Sequence, residues 1–151
     1  MKLYVIRHGN TDSNRLDIYN GKLLNEDINN IGIKQAQEAS KKIKNLNLDL
    51  IICSPLLRTR HTCDIINSNK IKVIYDDRIE ERNCGVLTNT KIDNFYYTEY
   101  WNYYSKVKID NLETVPELFK RVNLFLDEIK KKYRGQNILL VTHGGVARAI
   151  H

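Results

Sequence analysis

The chain has 151 residues, 42% of them hydrophobic, and a formal net charge of +6; that is enough for one domain with one substantial core and too little for two. Apolar runs such as Ile138-Leu139-Leu140-Val141 fall far short of the ~20 residues of a membrane helix, and the charged Arg7-His8 pair interrupts the N-terminal apolar run before a secretory signal can form. A cytoplasmic chain without a membrane span is therefore expected, and Cys53, Cys63 and Cys84, odd in number and without Cys-x-x-Cys spacing, point to reduced thiols rather than a disulfide framework or a zinc site.

In chain order, Lys2 to Arg7 is a β-branched and aromatic run suited to a buried strand. A polar stretch follows, and Ile33, Ala36, Ser40, Ile43 and Leu46 then recur at helical spacing between Ile31 and Leu46. Leu48 to Cys53 reads as a second strand, ended by Ser54-Pro55, and proline suits the first turn of a helix running from about Leu56 to Ile66. Ile71 to Tyr75 is a third strand. The next segment, Asp76 to Asn111, is irregular, with a helix expected around Ile92 to Tyr104.

Val115, Leu118, Phe119, Val122, Phe125, Leu126 and Ile129 form the clearest amphipathic pattern, with Thr114 and Glu117 placed as a capping box. Gly135 closes a turn before a fourth strand, Ile138 to Val141, and a helix begins after Gly145. Because that helix stops at His151 after less than two turns, further C-terminal residues are expected. Strands alternating with helices predict a single α/β domain over residues 1–151: three layers, a mostly parallel sheet with helices on both faces.

Such sheets bind ligands beyond the carboxyl ends of their strands, where this sequence places Arg7-His8, Ser54-Pro55 with Arg58, and His143-Gly144. A phosphate ester dianion needs fixed cations around its oxygens and a nucleophile that is neutral at working pH. Imidazole, with an unperturbed pKa of about 6.5, supplies the nucleophile. Arg7 and Arg58 can grip oxygens through bidentate forks, and His143 can add a hydrogen bond to the spreading charge. Glu80 and Glu81 are both candidates to protonate the leaving group.

Four ordered segments carry a family resemblance: Arg7-His8-Gly9-Asn10-Thr11 with Asn14; Ser54-Pro55-Leu56-Leu57-Arg58-Thr59 with Thr62; Glu81-Arg82-Asn83-Cys84-Gly85; and Val141-Thr142-His143-Gly144. Together they resemble the histidine phosphatase superfamily, also called phosphoglycerate mutase-like, over nearly the whole chain. The resemblance implies His8 as the phosphorylated nucleophile, Arg7, Arg58 and His143 as the phosphate pocket, and Glu81 as general acid and then base. It also implies Asn14, Asn20, Gly21, Arg82 and Gly144 as substrate contacts, and no metal or other cofactor. Asn29-Asn30, Cys84 and Asn89 depart from the family's usual residues and are expected to alter only the pocket edge.

The Glu81-Arg82-x-x-Gly85 element looks like the glycolytic mutases. Those, however, carry an arginine pair in a longer insertion, and no Arg-Arg occurs between Gly85 and His143. A phosphatase acting on a small phosphorylated metabolite is therefore expected, similar to the α-ribazole and broad-specificity branches. The alternatives are a phosphoglycerate mutase and a non-catalytic domain that binds phosphate or nucleic acid. The aromatic stretch Tyr96 to Tyr104, with Lys106 and Lys108 nearby, could stack nucleobases. Packing as a cap over the fold, or as a lid that selects the organic part of the ester, is the better reading, and no nucleic-acid partner is expected.

Overall fold

A computed structural model describes the backbone of residues 1–151 and every side chain except those of residues 94–96. Four strands, β1 (Lys2–Arg7), β2 (Leu50–Cys53), β3 (Val73–Tyr75) and β4 (Asn137–Thr142), form one sheet in the order β1-β4-β2-β3. Every neighbouring pair is parallel, as expected where helical crossovers connect the strands. The helices are α1 (Asp12–Arg15), α2 (Asn30–Ile43), α3 (Leu57–Ile66), α4 (Asn94–Tyr100), α5 (Val115–Lys132) and α6 (Gly144–Ile150). Short 3-10 turns occupy Asp77–Ile79 and Gly85–Leu87. No helix among the described residues is long and apolar enough to cross a membrane.

Alternation along β4 divides the core into two layers. Ile138 and Leu140 join Leu50, Ile52 and the buried face of α5 on one side. Leu139 and Val141 join Ile51, Cys53 and residues of α2 and α3 on the other. Central strands covered on both faces read as continuous apolar runs, which is why β2 and β4 are legible in the sequence. The strand β1 departs from the buried strand expected: it lies at the sheet edge, pairs only with β4, and leaves Val5 39% exposed.

The helix α5 forms as the pattern dictates. Thr114 and Glu117 make the reciprocal capping box, and Val115, Leu118, Val122, Phe125, Leu126 and Ile129 are buried. The helix expected over Ile92 to Tyr104 is shorter, Asn94–Tyr100. Its last carbonyl, on Tyr100, accepts from the Arg82 guanidinium rather than from a further helical turn. The α2 helix starts where Asn29 accepts from Gly32 N–H and ends at Ile43 instead of Leu46.

Register places the strand ends level. Arg7 pairs with Thr142, and Cys53 with Val141. The next residue of each strand then hydrogen-bonds onto β4: His8 N–H donates to Thr142 O at 3.0 Å and Ser54 N–H to Val141 O at 3.0 Å. Phe125 is fully buried in the layer that carries α5, so Phe125→Ala should lower the unfolding free energy by about 3–5 kcal/mol, as read from urea denaturation. A loss below about 1 kcal/mol would show that this layer does not hold the sheet.

Candidate active site

The sheet topology brings His8 and His143 together. Their ring centroids lie 5.1 Å apart with the planes tilted by 59°. His8 Nδ1 lies 2.7 Å from Gly9 O; a carbonyl can only accept, so Nδ1 carries the proton and Nε2 keeps the lone pair. The loop is fixed from two sides, by Gly9 N–H donating to Thr62 Oγ1 and by close backbone approach to α2. A Cβ on Gly9 would stand 2.5 Å from Gly32 O, so only glycine fits there.

Both imidazoles are buried. Burial, followed by the nearby Arg58 charge, lowers the His8 pKa from 6.5 to about 3 against a raising contribution from the Gly9 carbonyl. Burial and Arg58 likewise hold His143 well below the ordinary imidazole value. Both rings are thus neutral near pH 7. His143 Nε2 is 2.8 Å from Ser54 Oγ, whereas its Nδ1 is buried without a hydrogen-bond partner among the described residues.

Arg58 corrects an expectation. Rather than opening a bidentate fork to a ligand, its Nη1 and Nη2 donate to Leu24 O at 3.0 Å and Gly21 O at 2.6 Å. The side chain is 0% exposed, and only Nε lacks a partner among the described residues. What Arg58 contributes is a fixed positive charge beside both imidazoles and one free N–H. Arg82 is anchored within the protein as well. It is buried, donates from Nε to Glu113 O and from Nη1 to Tyr100 O, and stacks over Tyr100 with Cζ 4.0 Å from the ring centroid. These bonds brace the wall of the site.

Glu81 and Glu80 part company. The Glu81 carboxylate accepts from Arg82 N–H at 2.8 Å and from Gly145 N–H at 3.2 Å, and it lines a hollow of about 220 Å³ with Arg7, Asn14, Gly144 and Trp101. A Cβ on Gly145 would meet Glu81 Oε1 at 2.3 Å, so the second glycine makes room for the carboxylate. Glu80 instead approaches Lys22 at 3.7 Å and borders a different hollow. Asn20 and Gly21 also line the Glu81 hollow, and Arg7 and Asn14 are shared with the adjoining hollow that His8 lines. Asn14 is partly occupied by the capping box that starts α1, where its side chain accepts from Thr11 N–H.

The aromatic stretch divides. Tyr97, Tyr100 and Trp101 line the Glu81 hollow, whereas Tyr103 and Tyr104 do not border it and are exposed. The Tyr96 side chain lies outside those described. Sequence reasoning placed Ser54 at a strand end without a role and missed two further residues of the site, Arg148 and Arg121. Ser54 orients His143, and its place directly after β2 is the signal that was available. Arg148 reaches the hollow from α6, with Cζ 4.4 Å from the Trp101 ring centroid and Nη2 donating to Tyr97 Oη at 3.1 Å. Its spacing of four from Gly144 puts both on one helix face. Arg121 holds the backbone around Glu81 from α5, a contact across the fold that no local pattern announces.

The sequence profile of the histidine phosphatase superfamily, branch 1, matches residues 3–151. Phosphoserine phosphatase 1 of Hydrogenobacter thermophilus is 30% identical over 158 residues, across 100% of this chain and 74% of that protein. A Yersinia pestis protein named Probable phosphoglycerate mutase GpmB is 32% identical over 151 residues, across 95% of this chain and 70% of its own. Among solved structures, phosphoserine phosphatase from Entamoeba histolytica in complex with 3-phosphoglyceric acid matches with a TM-score of 0.84 at 25% identity, covering 98% of this chain and 76% of that one.

Depressed imidazole pKa values link stability to pH. An unfolded chain protonates these histidines below about 6.5, whereas folded His8 resists until about 3. The stability they contribute is therefore present above pH 6.5 and is lost as pH falls through the window from about 6.5 to about 3. Replacing His8 by Gln should flatten the acid-side slope of unfolding free energy by up to about 1.4 kcal/mol per pH unit, measured by urea unfolding at stepped pH. An unchanged slope would show that His8 titrates normally in the folded protein.

Proposed function

The chain belongs to the histidine phosphatase superfamily, branch 1, and from that membership we propose that it hydrolyses phosphomonoesters of small metabolites through a phosphohistidine on His8, without a metal. The observation that carries this reading is the tautomer and charge of His8: a neutral ring at neutral pH, its Nδ1 proton held by Gly9 O and its Nε2 lone pair free. Such a ring attacks phosphorus with no prior deprotonation, which suits a nucleophile facing a dianion.

In the first step the His8 Nε2–P bond forms and the ester P–O bond breaks. The Glu81 carboxylic acid gives its proton to the departing alkoxide. In the second step water attacks phosphorus, its proton passes to Glu81, and the Nε2–P bond breaks to release inorganic phosphate. Arg7, the Arg58 Nε–H and His143 stabilise the charge on the phosphoryl oxygens. Buried nitrogens left without partners cost about 1–3 kcal/mol each, and phosphate oxygens are acceptors that complete Arg58 Nε and, when it carries the proton, His143 Nδ1. Tyr97, Trp101 and Arg148 border the organic half of the ester, the role expected of a lid. The related phosphoserine phosphatase supports a small anionic metabolite as the substrate class.

The similarity to a phosphoglycerate mutase relative favours a second reading, isomerisation of phosphoglycerate. Against it stands the absence of an Arg-Arg pair between Gly85 and His143. Two assays decide. Wild type should hydrolyse an aryl phosphate equally with and without EDTA, and His8→Ala should lower kcat by at least about 1000-fold; equal rates would contradict the nucleophile. With 3-phosphoglycerate and 2,3-bisphosphoglycerate supplied together, no appreciable 2-phosphoglycerate should form, and ready isomerisation would establish the mutase instead.

A further inference from the structure

A proton donor is only as well placed as the chain that carries it, and Glu81 sits on a stretch, 80–83, with neither helix nor strand. That stretch is nevertheless held from across the fold, and one side chain takes the carbonyls of both Glu80 and Glu81. Arg121, on the second turn of α5, donates from Nη1 to Arg78 O at 2.7 Å and from Nη2 to Glu80 O at 3.0 Å and Glu81 O at 3.4 Å. Its remaining reach goes to Glu113, with Nε on Oε1 at 2.5 Å and Nη2 on Oε2 at 3.0 Å. Glu113 in turn accepts Asn83 N–H at 3.1 Å on Oε2 and takes the Arg82 Nε–H on its backbone carbonyl.

The arrangement surrounds the Glu81 peptide on both sides. Arg121 takes the carbonyls of residues 78, 80 and 81, and Glu113 takes the side-chain Nε–H of Arg82 and the backbone N–H of Asn83. A planar guanidinium presents its donors in a fixed fork, so these distances cannot be kept while the peptide rotates. The pair is only partly exposed, 23% for Arg121 and 16% for Glu113, and the carbonyls it meets leave no need for a charge partner in a ligand. Its location is informative too. Other ion pairs lie nearby: Lys22 meets the Glu80 side chain rather than the backbone, and Arg78 with Asp76 and Glu128 makes no side-chain hydrogen bond to residues 80–83 among the described residues.

We infer that Arg121, oriented by Glu113, is a positioning residue for proton transfer by Glu81: it fixes the peptide from which the Glu81 carboxyl group projects into the hollow beside Arg7 and Gly144. The inference rests on the proposed role of Glu81 as general acid and base. General acid–base catalysis is worth about 100- to 10,000-fold, and a displacement of about 1 Å can cost about 100-fold. Loosening the clamp should therefore cost rate only where a proton must be delivered.

The experiment compares kcat/KM for two esters on the full chain, since that ratio reports steps up to formation of the phosphoenzyme. Dinitrophenolate leaves without a proton, whereas the alkoxide of a simple alkyl phosphate needs one. Arg121→Gln should reduce kcat/KM for the alkyl ester by about tenfold or more while changing that for dinitrophenyl phosphate by less than about threefold. Arg121→Lys, which keeps the charge but not the fork, should behave like Arg121→Gln. A parallel fall on both esters, or no fall on either, overturns the positioning role. If Arg121→Gln does not fold, Glu113→Gln, which leaves an acceptor for Asn83 N–H, takes its place in the comparison, with the same split expected and the same outcomes overturning the role. Glu81→Gln is measured alongside. If it leaves the alkyl ester unaffected, the proton-donor assignment itself fails; if it shows the split and Arg121→Gln does not, only the positioning role fails.

Discussion

His8 leaves β1 one residue beyond the Arg7–Thr142 pair, and its N–H bonds back onto β4. His143 leaves β4 one residue beyond the same pair. The 5.1 Å separation of the two rings is thus a consequence of parallel register between one edge strand and one central strand. A slip of β1 by one residue against β4 would turn its side chains to the opposite face of the sheet, so the meeting of the two rings depends on the same hydrogen bonds that hold the sheet together. Ser54, at the end of β2, completes the row by meeting His143 Nε2.

Placing two imidazoles side by side in an apolar fold would be costly if either were charged. Burial and the Arg58 charge keep both neutral, and Arg58 is itself sustained by two carbonyls of the 21–24 loop. A buried cation commits two of its nitrogens to the protein so that its charge can act at the site. The opposite wall follows the same logic. Arg82 spends its donors on backbone and Arg121 divides its own between backbone and Glu113, and the carboxylate they support is left facing the hollow.

Much of the fold was legible because it rests on local rules. The apolar runs of β2 and β4, Ser54-Pro55 after a strand, and the Thr114–Glu117 box before α5 all describe short-range physics. The chemistry-bearing positions His8 and His143 were legible because strand ends concentrate ligands. The choice of Glu81 over Glu80 came only with the family resemblance, since both lie in the same irregular segment. The surroundings of Arg58 and Arg82 were not legible for one reason: an arginine's geometry depends on which acceptors surround its guanidinium. Those acceptors, Leu24 O and Tyr100 O, lie on segments whose position no periodicity encodes. Arg121 was invisible as a part of the site because its helix reads as surface and core, while its targets are backbone atoms some forty residues earlier.

The central role of His8 requires that the phosphoryl group pass through the protein. Transfer of an isotopically chiral phosphate monoester to an alcohol acceptor reports this directly through the configuration at phosphorus. Two successive in-line displacements, the first onto His8 Nε2, predict overall retention. Inversion would mean a single displacement without a phosphohistidine and would contradict the central role given to His8.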